Sequence, residues 1–238
     1  MPEASDRRTL IIFDADDTLW ESSLYFERAE EDFLLLAESL GHDPVRVAGL
    51  VHSRDIERLA ETGYGARPYL DTLTEIMLEL ERPLTEPVLA AMSNISLNLV
   101  SHPVILYPGV LEVVAALAAG GCRMVACTMG EADHQRSKFA RSGLEPYFDD
   151  LVIVPMKTAE VLSGIVRCNG GDPGRSVMIG NSPRSDVNPA LDAGIRVLHI
   201  QRSRTWAAER EDILDPGRVH EVAGFRDIPD VLRRLDLI

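Results

Sequence analysis

The sequence has no long apolar run, and this absence excludes several classes of protein. The polar stretch MPEASDRR leads into only four apolar residues, Leu10–Phe13, whereas a signal peptide or a membrane helix needs a longer apolar segment. No later segment approaches that length. We therefore expect a cytoplasmic protein without a membrane helix.

Positive charge is also scarce. The chain has 24 Lys and Arg against 38 Asp and Glu, a formal net charge of −14 and a pI near 4.8. Such a surface repels nucleic acid and anionic membranes unless one face concentrates its cations, and no Lys/Arg cluster does so. We expect neither nucleic acid nor membrane as a partner.

Cysteine is rare as well. Cys122, Cys127 and Cys168 follow no metal-ligand spacing and cannot all pair. We interpret them as small apolar residues in a reducing compartment. None of the six histidines stands in a spacing typical of metal binding or catalysis.

What the sequence does contain is a set of five short, near-continuous apolar runs, a pattern typical of buried parallel strands. A helical pattern precedes each of the last four runs, at Val110–Ala119, Glu131–Ser142, Thr158–Cys168 and Asp186–Ala193. Alternating strands and helices predict a doubly wound α/β parallel sheet. The predicted strands are Thr9–Phe13, Arg123–Cys127, Leu151–Val154, Ser176–Ile179 and Arg196–Ile200.

The segment from Trp20 to Tyr107 breaks this alternation, because its apolar residues recur only at helical spacing. We predict an all-helical domain over residues 20–107, inserted into an α/β catalytic core of residues 1–19 and 108–238. The stripes that indicate helices are Tyr25, Ala29, Phe33, Leu36 and Leu40; Leu70, Leu73, Met77 and Leu80; and Val88, Met92, Ile95 and Leu99.

Polar residues follow the predicted strands at the carboxyl edge of the sheet, where open α/β sheets bind ligands. Carboxylates, a hydroxyl, an amine and a glycine-containing turn come together at this edge. The candidates are Asp14, Asp16, Thr128, Met129, Gly130, Lys157, Asn181 and Asp186.

These residue types suit the hydrolysis of a phosphate monoester, in which a carboxylate meets an anionic phosphoryl group. Mg²⁺ held by Asp14, Asp186 and the carbonyl of Asp16 would offset the repulsion. Lys157 adds a positive charge, and Thr128 with the amides of the next turn can bind phosphoryl oxygens. We expect Asp16, held protonated by its neighbours, to act as general acid and base.

The arrangement resembles the haloacid dehalogenase-like hydrolase superfamily along essentially the whole chain. Its four motifs correspond to LIIFDADDTLW, MVACTMG with Thr128, VPMKT with Lys157, and MIGNSPRSD ending at Asp186. The resemblance implies that Asp14 is the nucleophile, Asp16 the general acid/base, Thr128 and Lys157 phosphate ligands, and Asp186 a magnesium ligand. It also implies that the helical insert is a cap domain.

Two positions depart from the family pattern. Asn181 stands where many relatives carry an acidic residue, and we expect it to ligate Mg²⁺ through its amide oxygen, with weaker binding. Met156 and Thr158 flank Lys157 where relatives have Lys-Pro, which loosens the assignment of that lysine.

The function that fits best is a Mg²⁺-dependent phosphatase acting on a small soluble phosphate ester of the nucleotide or sugar phosphate class. In the cap, Tyr64 and Arg67 of GYGARPY are candidate substrate contacts. A phosphomutase, a dehalogenase and a non-enzymatic phospho-accepting receiver module remain alternatives. Asp16 argues against a dehalogenase, and the long insert argues against a receiver. The oligomeric state cannot be inferred from the sequence.

Overall fold

The computed structural model of the chain describes residues 8–204 and 206–238. Most of the N-terminal stretch MPEASDRR, on which the expectation about a signal peptide rests, lies outside the described residues. Those that are described contain six parallel strands in one sheet, in the order β3-β2-β1-β4-β5-β6. The strands are β1 (Leu10–Phe13), β2 (Arg123–Met129), β3 (Asp150–Val154), β4 (Ser176–Gly180), β5 (Arg196–Ile200) and β6 (Val219–Val222).

By its internal contacts the chain divides into two units. The helical unit consists of Ser22–Pro103 and Gly130–His134, and the α/β unit of Met1–Glu21, Val104–Met129 and Gln135–Ile238. The predicted stripes of the insert all belong to one apolar cluster within the helical unit. Its helices are α1 (Ser23–Ser39), α2 (Pro44–Thr62), α3 (Ala66–Leu80) and α4 (Glu86–Val100).

Helices cover both faces of the sheet, as a doubly wound fold requires. Alternate residues of β1 show this directly: Ile11 and Phe13 pack in one apolar cluster with α5 and α9, while Leu10 and Ile12 pack in another with α7 and α8. No helix among the described residues has the length and apolar character needed to cross a bilayer. The remaining helices are α5 (Val110–Ala119), α6 (Ala132–Ser142), α7 (Ala159–Cys168), α8 (Asn188–Asp192) and α9 (Ile228–Arg234).

The predicted fold class is confirmed, and two local expectations were incomplete. Strand β6 was missed because it is an edge strand, paired only with β5, and polar His220 and Glu221 make up half of it. The helix expected at Asp186–Ala193 begins earlier, as a π-helical turn over Pro183–Val187. Ser182 caps that turn, since its hydroxyl accepts a hydrogen bond from the Ser185 amide at 3.0 Å.

Candidate active site

Asp14 directly follows β1, and its carboxylate lies in a buried ion pair. Lys157 Nζ donates to Asp14 Oδ1 at 2.5 Å and to Asp186 Oδ1 at 2.7 Å. The three side chains are buried. The Asp14 amide donates to Ile179 O at 2.9 Å and so continues the pairing of β1 with β4. Three predicted site residues, each following a different strand, therefore meet in one cluster.

Charge in this cluster is only partly balanced. Burial raises the pKa of Asp14, the neighbouring Asp186 carboxylate raises it further, and Lys157 lowers it, with a net value of about 7. Burial lowers the pKa of Lys157, but the two carboxylates raise it by more, so the ammonium stays charged. One cation therefore serves two carboxylates, and a second positive charge would be stabilised here.

Asp16 is not held protonated, and that expectation was wrong. Its Oδ1 accepts hydrogen bonds from Trp20 Nε1 at 2.7 Å and Lys138 Nζ at 2.6 Å, and its Oδ2 accepts from Lys138 Nζ at 2.7 Å and Gln135 Nε2 at 2.8 Å. Burial raises the pKa of Asp16, but the charge of Lys138 and these hydrogen bonds lower it to about 2. The carboxylate is therefore ionised in this state.

Sequence reasoning missed both Lys138 and Gln135. They lie one turn apart on α6, and both are buried. The helix has an otherwise polar sequence, so its lysine reads as a surface residue. One signal was available: only two of the 24 basic residues are lysines, and Lys157 is the other.

The predicted phosphate-binding residues lie at the end of β2. Thr128 is buried, and its hydroxyl is 3.5 Å from Met129 O, at the weak limit of a hydrogen bond. Met129 O accepts a hydrogen bond from Gln135 Nε2 at 2.6 Å. Gly130 follows with a φ of +115°, which L-residues rarely adopt. The Thr128 hydroxyl thus remains able to bind a ligand.

Asn181 contacts two of the predicted metal-binding residues. The end of its side-chain amide lies 2.9 Å from Thr18 Oγ1, 3.2 Å from Asp14 Oδ2 and 3.3 Å from Asp16 O. With nitrogen in that position, the two N–H groups of the amide donate hydrogen bonds that are shared among these three acceptors. With oxygen there, the Asn181 oxygen faces the oxygens of Asp14 and Asp16.

The second orientation fits a magnesium ion. Oxygens around octahedral Mg²⁺ are about 3.0 Å apart when the metal–oxygen bonds are about 2.1 Å, close to the 3.2 and 3.3 Å that separate the Asn181 position from Asp14 Oδ2 and Asp16 O. No three His, Cys, Asp or Glu side chains within residues 8–204 and 206–238 converge to hold a metal. A site here would therefore combine the Asp14 carboxylate with the Asp16 carbonyl and the Asn181 amide oxygen.

Asp186 is fixed by the loop after β4. Its Oδ2 accepts from the amides of Asn181 at 3.1 Å and Ser182 at 2.9 Å, while its Oδ1 binds Lys157. The Ser182 hydroxyl donates to the Glu209 carboxylate, which ties this loop to the segment after β5. Gly180 allows the close approach, because a Cβ there would lie 2.3 Å from Asp186 Oδ2.

Comparison with known proteins identifies the family of this chain. The sequence model of the haloacid dehalogenase-like hydrolase family matches residues 9–194. The chain belongs to this family. This match confirms two predictions, that the chain belongs to this family and that it is a hydrolytic enzyme.

Individual members of the haloacid dehalogenase-like family match nearly the whole chain. The glyceraldehyde 3-phosphate phosphatase of Methanothermobacter thermautotrophicus is 24% identical over 92% of this chain and 98% of its own. The phosphoglycolate phosphatase of Caulobacter vibrioides is 27% identical over 92% of this chain and 88% of its own. A crystal structure of a haloacid dehalogenase-like hydrolase from Xanthomonas campestris has a TM-score of 0.78, with 30% identity and 96% coverage of both chains.

The helical unit carries the two remaining candidates, Tyr64 and Arg67. Arg67 is exposed, and its backbone amide donates to Glu131 Oε1 at 2.7 Å. Gly65, at the N-cap of α3, has a φ of +143°, and a Cβ there would lie 1.9 Å from Glu131 Oε2. The GYGARPY turn therefore requires glycine at this position. The roles of Tyr64 and Arg67 in substrate binding stay predictions.

Proposed function

We propose that this haloacid dehalogenase-like hydrolase is a Mg²⁺-dependent phosphatase that forms a phospho-aspartyl intermediate on Asp14. One observation carries the proposal: a buried carboxylate ends β1, and a second carboxylate, Asp16, is held two residues later by directed hydrogen bonds. A nucleophile and a separate proton-transfer group are what hydrolysis through a covalent intermediate needs. The phosphatase names of the relatives support the same reaction class.

The first half-reaction transfers the phosphoryl group to the enzyme. Lys157 holds the Asp14 carboxylate, one oxygen of which attacks phosphorus while the ester P–O bond breaks. Thr128 and the amides after it bind the phosphoryl oxygens. Asp16 delivers a proton to the leaving oxygen. Because Asp16 rests ionised, the substrate would bring this proton, since a phosphate monoester has its second pKa near 6.

The second half-reaction frees the enzyme. Water attacks the phosphorus of the aspartyl phosphate and gives a proton to the Asp16 carboxylate, which releases Asp14 and inorganic phosphate. Mg²⁺ held by Asp14, the Asp16 carbonyl, Asp186 and Asn181 would supply charge that offsets the repulsion between nucleophile and phosphate.

Asp16 is also what favours this function over the alternatives. A dehalogenase attacks carbon and expels halide, which needs no proton. The hydrogen bonds that orient the Asp16 carboxylate would then have no catalytic role. A receiver module would keep its phospho-aspartate rather than turn over. A phosphomutase shares the same chemistry and differs in the acceptor of the phosphoryl group.

The substrate we propose is a small phosphorylated metabolite, such as a sugar or triose phosphate or a nucleotide. The relatives' names refer to phosphates of two- and three-carbon compounds, which supports the small end of this class. We further propose that the helical unit acts as a cap that selects the leaving group.

The proposed reaction is tested by measuring phosphate release from a panel of phosphomonoesters, with Mg²⁺ and with excess EDTA. Hydrolysis with Mg²⁺ and none with EDTA is the expected result. Chloride release from 2-chloropropionate would indicate a dehalogenase, and interconversion of sugar phosphate isomers would indicate a mutase. A stable phosphoprotein without turnover would indicate a receiver.

Selection by the cap is tested with Tyr64→Ala and Arg67→Ala. We expect kcat/KM for the best substrate of the panel to fall by roughly tenfold to a hundredfold, because binding energy from the leaving group is lost. Turnover of 4-nitrophenyl phosphate should hardly change. Arg46→Ala, at an exposed position of α2, is the control. Equal losses on both substrates would contradict a role in selection.

A further inference from the structure

We propose that Lys138 and Gln135 are positioning residues, which aim the Asp16 carboxylate at the substrate oxygen to which it transfers a proton. The inference rests on the proposed function of Asp16. Lys138 donates to both carboxylate oxygens, at 2.6 and 2.7 Å, and Gln135 donates to one of them at 2.8 Å. With Trp20 on the remaining side, the carboxylate plane is fixed by three residues.

The placement of Lys138 is unusual for a lysine. Its side chain is only 3% exposed, while that of Asp16 is 26% exposed. Removing an ammonium from water carries a large desolvation cost, which the two contacts with the Asp16 carboxylate offset. Of the 24 basic residues in the chain, only Lys138 and Lys157 are lysines, and the others are arginines. The ammonium of lysine is compact and contacts both oxygens of the Asp16 carboxylate, whereas the larger planar guanidinium of arginine needs more space.

Gln135 extends the arrangement to the phosphate-binding loop. Its amide nitrogen donates to Asp16 Oδ2 and also to Met129 O, at 2.6 Å. One side chain therefore connects the loop after β1 with the end of β2. The proton-transfer group and the predicted phosphate-binding residues are thereby held at a constant separation, which proton transfer requires to within a fraction of an ångström.

A substitution that only breaks a structural ion pair should lower the rate equally for all substrates. A substitution that removes a positioning residue should lower it most for substrates whose leaving group needs a proton. Proton transfer matters most for an alkyl phosphate, whose leaving alkoxide is a strong base, and little for 4-nitrophenyl phosphate. Lys138→Met and Gln135→Leu should therefore lower kcat for glycerol phosphate by roughly tenfold to a hundredfold, and kcat for the aryl ester by no more than a few fold. KM should stay nearly constant for both substrates.

The sharpest test is a double-mutant cycle with Asp16→Asn. If Lys138 acts through Asp16, the variant combining Lys138→Met with Asp16→Asn should be no slower than Asp16→Asn alone. Lys138→Arg should recover part of the lost alkyl phosphatase rate. Arg136→Met, an exposed cation on the same helix, is the matched control and should leave both rates unchanged.

Folding of each variant is checked by NMR of the side-chain ammonium groups, which gives two signals because the chain has two lysines. Lys138→Met should remove one signal and leave that of Lys157 in place. Equal losses on both substrates, or losses that add to those of Asp16→Asn, would overturn the positioning role. If Asp16→Asn itself shows no leaving-group dependence, the proposed role of Asp16 fails instead, and the inference fails with it.

Discussion

Both units of this protein contain carboxylates that are at least partly buried, but the two units balance the charge differently. In the α/β unit, Asp14 and Asp16 each contact a buried lysine. In the helical unit, burial and the charge of Glu30 raise the pKa of Asp55 to about 6, although His52 and Arg58 lower it in part. Burial likewise raises the pKa of Glu30.

Burial of an acid therefore does not by itself identify a functional site. A nucleophilic or basic carboxylate must be ionised, so a protein that buries one has to supply a cation at contact distance. Lys138 meets that requirement for Asp16, whereas Lys157, shared with Asp186, meets it only in part for Asp14, whose pKa is about 7. The acids of the helical unit instead lie where their ionisation lowers the free energy of unfolding. We expect substitution of these acids by neutral residues to stabilise the protein. Four substitutions test this contrast.

The largest effect is expected from Asp14→Asn. The amide cannot attack phosphorus, so phosphatase kcat should fall by roughly 10³-fold or more, while the fold persists because Asn is nearly the same size. Phosphate release and circular dichroism measure the two properties. Near-wild-type turnover in a folded variant would remove Asp14 as the nucleophile.

Lys157→Met should reduce both activity and stability. Two buried carboxylates then lose their shared cation, so the free energy of unfolding at pH 8 should fall by about 3 kcal/mol and kcat/KM by roughly a hundredfold.

The pH dependence of this loss identifies its cause. Without the ammonium, the folded pKa of Asp14 rises further above its unfolded value, so stability is retained at low pH and lost as pH increases. Urea unfolding at pH 5 and pH 8 measures the difference. Equal destabilisation at both pH values would indicate lost packing rather than unbalanced charge.

Asn181→Asp should make the protein more dependent on metal. A carboxylate cannot donate to Asp14 Oδ2, which the amide reaches at 3.2 Å, so Tm without metal should fall by about 3 °C, the shift for about 1 kcal/mol in a protein of this size. Mg²⁺ should then bind about tenfold more tightly, because charge count sets affinity in such sites. Thermal shift and calorimetry measure both effects. Unchanged Mg²⁺ affinity would place Asn181 outside the metal site.

The sequence was sufficient for the parts of the molecule that depend on local patterns. Continuous apolar runs predicted β1 to β5, and the polar residues that follow them predicted Asp14, Lys157 and Asp186. Their meeting in one cluster follows from the parallel register, which places the carboxyl ends of the strands at one edge.

The remaining features depend on how elements pack. Lys138 reaches Asp16 across 122 positions only because α6 packs beside the loop after β1, and no local pattern encodes that contact. The ionised state of Asp16 follows from the same contact, so the expected protonated form was wrong. The acidic pair of Glu30 in α1 and Asp55 in α2 likewise exists only after the two helices pack.

The smallest predicted effect lies in the helical unit. Asp55 has a folded pKa of about 6 against 3.8 for the isolated side chain, so the folded state binds its proton more tightly than the unfolded state does. The contribution of Asp55 to the free energy of unfolding is fully present below pH 4 and decreases as pH rises to 6. Asp55→Asn removes the charge and should stabilise the protein at pH 8 by about 1 kcal/mol, a value discounted for the partial exposure of the side chain.

Urea unfolding of the variant and the wild type at pH 8 and pH 4.5 measures this effect, with Asp32→Asn at an exposed position of α1 as the control. The gain should be much smaller at pH 4.5, where Asp55 is protonated in the folded state but still largely ionised in the unfolded state, whose pKa is 3.8. The control should change stability by no more than a few tenths of a kcal/mol at either pH. Destabilisation by Asp55→Asn at pH 8 would mean that His52 and Arg58 balance this carboxylate as fully as Lys138 balances Asp16, and the contrast between the two units would not hold.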